Sequence, residues 1–221
     1  MCGRFALTLP VDAMAQLFAA QPANDLPATP NYNICPTNTV SVVASIDGQR
    51  RLGAMRWGFL PHWYKAPNGG PLLINARSET IAEKPAFRAA ARARRCLIPA
   101  AGFYEWTKDT DGNRLPWYIH PTKADLMVFA GVWQDWEQGD ARFRTCAIVT
   151  CPANPPMSQI HHRMPVVLSP DTWGKWLGED GHGAATLMRA APDDALAFYR
   201  VETAVNSNRA SGEALIAPLA G

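Results

Sequence analysis

Residues 95–106 read RCLIPAAGFYEW. The run is aliphatic and aromatic, is punctuated by Pro99 and Gly102, and directly follows the most helix-like stretch of the chain, ETIAEKPAFRAAARARR at 79–95. Such a run reads as strand. Working outward, segments of the same character recur on both sides. Before it come CGRFAL (2–7), TVSVVASI (39–46), LGAMRWGFL (52–60) and LLINA (72–76); after it come PWYIH (116–120), LMVFAGVW (126–133), RTCAIVT (144–150) and MPVVL (164–168). Strands thus flank the helical stretch without a regular strand–helix–strand alternation. The pattern predicts an α+β fold, with a mainly antiparallel β-barrel-like core and flanking helices. A chain of 221 residues fits one domain spanning 1–221.

Four helices are expected. Val11, Met14, Leu17 and Phe18 keep helical spacing just after Pro10. The stretch 79–95 is kinked, or its second half started, by Pro85. A third helix opens at Ser169-Pro170-Asp171, with Ser169 as N-cap and Gly178 as stop. A short fourth covers 194–200.

Composition removes several classes. Charged residues are only 18% and apolar ones 48%, which excludes a charged disordered tail. No apolar run approaches the roughly 18–20 residues of a membrane span, so no membrane association is expected. Nineteen prolines and eight tryptophans indicate a turn-rich, sheet-rich chain with aromatic surface. Net charge is only +2, but 77–95 holds six basic and two acidic residues, whereas 107–140 holds three basic and six acidic. A local basic region of this kind can hold phosphates, and a solvated helix face explains it equally well. The five cysteines are an odd number and follow no signal-like segment. Reduced thiols and a cytoplasmic location are expected. Cysteine and histidine spacings match no zinc site, and nucleotide-binding glycine motifs are missing, so neither metal nor cofactor is expected.

Cys2 is the most informative position. Removal of Met1 would leave a residue carrying both a free α-amine and a thiol. Their reference pKa values, about 8 and about 8.5, leave reactive forms of each near neutrality. Such an aminothiol condenses with an aldehyde to a Schiff base, and the thiol closes it to a thiazolidine. Glu105, in GFYEW, shares a strand face with Phe103 and Thr107, and Tyr104 and Trp106 take the other. A carboxyl among aromatics loses solvation, which suits proton shuttling; a half-exposed surface strand is the plainer reading. In IHHRMP (160–165) an extended backbone sends His161 and His162 to opposite sides. Asn75 and Arg77, two apart in LLINARSET, share a face at a strand end, and arginine offers a forked grip on phosphate. A turn with Ser78 capping the next helix accounts for the same residues. Arg4 lies on the face of Cys2. RWGFLPHWY (56–64) mixes arginine with aromatics as base stacking requires, and a buried core accounts equally well for Trp57.

In their order, MCGRF, YNICPT, RWGFLP, INARSET, GFYEW and HHRMP resemble the SOS response-associated peptidase (SRAP) family of abasic-site processing proteins, from residue 1 to about 165, with a looser match near 204–207. The resemblance implies a barrel-like α+β domain whose mature N-terminal cysteine forms a thiazolidine with the ring-opened sugar of an abasic site in single-stranded DNA. It assigns Cys2 as nucleophile with Asn75, Glu105 and His161 as catalytic partners, and gives DNA contacts to Arg4, Arg77, Trp106 and Arg163. It further implies a monomer found at the nucleoid on damaged DNA, removal of Met1 by the domain itself or by an aminopeptidase, and a lyase side activity if the imine eliminates. Cys35 and Asn38 stand where the family more often has alanine and glutamine. Two other readings fit the same residues. One is a cysteine hydrolase built from Cys2, His161 and Asn75; the other is a non-catalytic single-strand binder using Trp57, Trp106 and the arginines.

Overall fold

Among the described residues the β-branched and aromatic runs form thirteen strands: β1 (Phe5–Leu7), β2 (Gln21–Pro22), β3 (Asn31–Ile34), β4 (Thr39–Ile46), β5 (Gln49–Trp57), β6 (Asn75–Arg77) and β7 (Arg95–Ala100), then β8 (Gly102–Lys108), β9 (Arg114–Pro121), β10 (Met127–Gln138), β11 (Ala141–Pro152), β12 (Arg163–Pro165) and β13 (Leu196–Arg200). The helices are short: α1 (Val11–Leu17), α2 (Arg88–Ala93), α3 (Pro155–Ser158) and α4 (Trp173–Leu177). The structure, a computed structural model, describes residues 2–219.

Strands run in the order β11, β10, β7, β4, β5 with antiparallel neighbours, and a parallel pairing of β5 with β11 (Thr145 opposite Arg56, Cys146 opposite Trp57) closes them into a five-stranded mixed barrel. The expected α+β fold with a mainly antiparallel barrel core is therefore the observed one, and closure removes the sheet edges that would otherwise seek partners. A second, antiparallel sheet, β13-β9-β8-β1-β3, packs over the barrel. Phe5 of β1 lies edge-on to Trp57 at 5.0 Å and to Phe129 at 6.0 Å, and Phe103 of β8 meets Phe129 at 6.0 Å. These rings are fully buried. Trp57 therefore belongs to the core and offers no stacking surface. Gly131, between β7 and β11, permits the close approach: a β-carbon there would sit 2.7 Å from Cys96 Sγ.

Three helix expectations are corrected. Of 79–95 only Arg88–Ala93 is helical, and 78–87 runs as successive turns such as Glu83 N–H to Thr80 O at 3.0 Å. Pro85 supplies no amide hydrogen and disfavours helix at Lys84. Ser78 caps nothing, because its hydroxyl turns to Glu79 at 3.1 Å. Ser169 has N-cap backbone geometry but makes no side-chain cap, and a 3-10 turn leads into α4; the left-handed Gly178 (φ 87°) does stop that helix. The segment expected as a fourth helix is instead β13, zipped to β9 with Tyr199 opposite Tyr118. Phe198 and Tyr199 find aromatic partners in Trp117 and Tyr118 at 5.9 Å each, and that pairing overrides the helix propensity of Ala195, Leu196 and Ala197.

One strand organises the site. The last residues of β11 pair in parallel with β6, Ile148 opposite Asn75 and Thr150 opposite Arg77, on the edge that β5 has just left. On the other edge, past the last β10 pair of Gly131 with Ile148, Thr150 faces Pro165 and Pro152 faces Arg163 of β12. Asn75 and the residues before Arg163 are thereby brought to one end of the barrel, beneath the start of β1.

Candidate functional site

Cys2 lies three residues before the first residue of β1 and is completely buried. Tyr104 N–H donates to Arg4 O at 2.9 Å, extending the β1–β8 ladder and drawing Glu105 toward the residues ahead of Arg4. Glu105 is itself buried, 4% exposed, and its charge acts on both Cys2 and His161. From β6, the Asn75 amide nitrogen donates to Cys2 O at 2.9 Å. The Asn75 Oδ1 is buried and has no hydrogen-bond partner among the described residues. The three residues assigned as partners of Cys2 thus gather around it. Met1, whose removal the aminothiol chemistry requires, lies outside the described residues.

Burial pushes the Cys2 thiol well above its usual range, and the Glu105 carboxylate adds to the effect. Burial also lowers the imidazole of His161, against an opposing pull from Glu105. Both shifts favour the uncharged forms, S–H for the thiol and the neutral ring for the imidazole. His161 and His162 do not point apart: their rings stack at 4.3 Å with planes 26° apart. The backbone there is a bend between α3 and β12 rather than an extended strand, so strand alternation does not apply.

Two grooves flank Cys2. The first, about 340 Å³, is lined by Gly3, Arg4, Glu105, Trp106, Lys108 and Arg114. Trp106 is half-buried, with the Arg114 guanidinium 4.5 Å and that of Arg4 5.9 Å from its ring centre. Its indole N–H donates to Asn206 Oδ1 at 2.6 Å. Arg4 is anchored through Nη1 to Asn33 Oδ1 at 2.6 Å and Val205 O at 2.9 Å. The second groove, about 520 Å³, runs past Trp63, Asn75, Arg77, Lys84 and Phe87, and Arg77 is exposed there. Basic side chains outnumber acidic ones in both.

Arg163 is placed differently from the other arginines. It is buried, its Nη1 and Nη2 both bond the Glu79 carboxylate, and Nη2 also donates to Thr150 O at 2.7 Å and Oγ1 at 3.1 Å. The guanidinium expected to hold phosphate is committed inside the protein. Glu79, with its carboxyl pulled down to about 2 by Arg163, went unremarked in the sequence, as did Asn33, Arg114 and Asn206. The signal for Glu79 was its place as the one carboxylate of INARSET, available as a counter-ion to the arginine of HHRMP. The Cys35 thiol is buried and turned onto Asn33 O at 3.4 Å.

The family model described as SOS response associated peptidase (SRAP) matches residues 1–208. The chain is 34% identical to the abasic site processing protein YoqW of Bacillus subtilis, over 98% of this chain and 99% of that one. It is 30% identical to the abasic site processing protein YedK of Escherichia coli, over 99% and 100%. A solved structure from Bacteroides thetaiotaomicron superposes with a TM-score of 0.86 at 22% identity, covering 99% of this chain and 100% of the other, which fixes the fold. With a family model spanning nearly its whole length, the chain belongs to the SOS response associated peptidase (SRAP) family.

Proposed function

We propose that this chain captures abasic sites in single-stranded DNA by forming a covalent thiazolidine through Cys2 once Met1 has been removed. The observation that carries the reading is the convergence of Asn75, Glu105 and His161 on Cys2 at the junction of two basic grooves. The names of the relatives point the same way. Arg4 and Arg77 hold phosphates on either side, and Trp106 stacks on a neighbouring base.

The steps follow from the groups present. In its imidazolium form His161 gives a proton to the sugar ring oxygen while the Glu105 carboxylate takes the proton of the C1 hydroxyl, and the closed hemiacetal opens to its aldehyde. The Cys2 amine attacks that carbon, and Glu105 moves the protons as water leaves and the imine forms. Asn75 holds the Cys2 carbonyl with its Nδ2, while its buried Oδ1 accepts from the carbinolamine or sugar hydroxyl. The Cys2 thiol adds to the imine carbon, and its proton passes to the nitrogen. The whole process releases one water. Ring closure removes the imine before β-elimination can cut the strand.

A thiol hydrolase would need a thiolate poised against an imidazolium. Here burial and Glu105 both disfavour the thiolate, and the thiol lies 4.0 Å from the Arg4 carbonyl. The deciding measurement is the intact mass of the protein with and without an abasic oligonucleotide. An adduct at the summed mass less one water, stable to heat without reductant, is expected. An unchanged mass, or an adduct that survives a glycine inserted between Met1 and Cys2, overturns the reading.

A further inference from the structure

We propose that Glu79 is a positioning residue for His161, acting through Arg163. The inference rests on the role proposed above for His161 in proton transfer. Arg163 touches His161 with its backbone, not its side chain. Its N–H donates to His161 Nδ1 at 3.0 Å, and its carbonyl oxygen lies 3.1 Å from the same nitrogen. The neutral ring accepts from the N–H, and the imidazolium donates to the C=O. One residue therefore holds Nδ1 in both charge states: the neutral ring keeps its proton on Nε2, and the imidazolium adds one on Nδ1.

That backbone is held by the Arg163 side chain. The guanidinium, 7% exposed, grips Glu79, 84 residues away in sequence, and Thr150 on β11. A cation so buried demands a counter-charge, and leaving it unpaired is costly. Thr150 is also the residue on which both flanking strands register: Arg77 lies opposite on one side, Pro165 on the other, and Ser78 N–H donates to its carbonyl at 2.8 Å. The pair thus ties the turn after β6 to the start of β12 across β11. The turn after Asn75 and the corner carrying His161 become one rigid unit, although Glu79 touches neither Cys2 nor the reacting atoms.

The test compares Glu79→Gln and Glu79→Ala with the wild type. Nitrogen NMR on protein labelled at histidine, with the signal assigned by His161→Gln, reports which ring nitrogen carries the proton in the free protein. A wild-type ring protonated at Nε2 and a drift toward mixed tautomers in Glu79→Ala, with Glu79→Gln between, are expected. Adduct formation and reversal on an abasic oligonucleotide should both slow about tenfold in Glu79→Ala, within the hundredfold that a misplacement of ~1 Å costs. If both variants lower the melting temperature but keep the wild-type tautomer and rates, the ion pair is structural only and the proposal fails. It fails equally if they bind DNA more tightly with an unchanged tautomer, because Glu79 would then be competing with phosphate for Arg163. Absence of any adduct in the wild type would sink the abasic-site reading alone, and the tautomer measurement would still decide the role of Glu79.

Discussion

The Asn75 side chain donates to the carbonyl oxygen of Cys2 at 2.9 Å, so the residue proposed as nucleophile is held by its own backbone from a strand 73 positions later. A net hydrogen bond of this kind contributes about 1 kcal/mol. Its larger effect is on orientation, because the Cys2 amine and thiol swing about that carbonyl. Asn75→Ala should slow adduct formation by about 10- to 100-fold at saturating DNA with little change in DNA affinity. Loss of affinity without loss of rate would instead place Asn75 on the DNA.

Cys2→Ala keeps an amine capable of a Schiff base and removes the closing thiol. Borohydride should trap it on an abasic oligonucleotide, and without reductant no heat-stable adduct should form. A stable crosslink from the alanine variant would exclude Cys2 as the closing group.

Glu105→Gln preserves size and hydrogen bonding but cannot titrate. It should slow adduct formation by roughly 10²–10⁴ if proton transfer limits the rate. His161→Ala should slow reversal of a preformed adduct as well as its formation, since the oxygen that is protonated on opening gives up that proton when it attacks the aldehyde on closing. His162→Ala, which removes only the stacked neighbour ring, should do much less. The reverse order of severity between the two histidines would overturn the assignment.

Salt separates the arginines. Each phosphate neutralised on single-stranded DNA contributes about −0.7 to the log–log slope of affinity against salt. Arg77→Ala, at an exposed position in the second groove, should flatten the slope by about that amount. Arg163→Ala should lower the melting temperature and leave the slope nearly unchanged, because its charge is spent on Glu79.

Acid should act through the same pair. Arg163 holds the Glu79 carboxyl at about 2, against an ordinary value of 4.5. A depressed carboxylate stabilises the fold fully above its unfolded value and loses that contribution as pH falls toward the folded one. The melting-temperature gap between wild type and Glu79→Gln should therefore be constant above about pH 5 and close progressively below about pH 4.5. Glu79 is partly exposed, so the gap itself should be modest. A gap independent of pH would show that the carboxylate charge is not what matters.

The strands were legible because VVASI, VFAGVW and CAIVT are runs that only a doubly covered sheet buries. The site residues were legible because Cys2, Asn75, Glu105 and His161 sit inside short, distinctive motifs. What could not be read is what depends on distant partners. β13 looks helical until Trp117 and Tyr118 are set beside it. Closure of the barrel rests on two residue pairs between β5 and β11, almost ninety positions apart, and no local pattern announces it. Arg163 reads as a surface cation until Glu79 is seen against it, and the stacked histidines follow from a bend whose shape is set by α3 and β12.

The double registration of β11 also dictates where the chain can change length. Between Ile148 and Pro152 the strand carries β6 on one edge and β12 on the other, and one residue gained or lost there turns one strand over relative to its neighbour. The side chains of that strand would then turn to the other face of the sheet, and Asn75 and His161 would no longer converge. The turn at Gly139 and Asp140, where Gly139 takes φ 57° between β10 and β11, bears no such constraint and can lengthen freely. Grafted sequences, tags or split points therefore belong at 139–140, some ten residues before the segment that tolerates none.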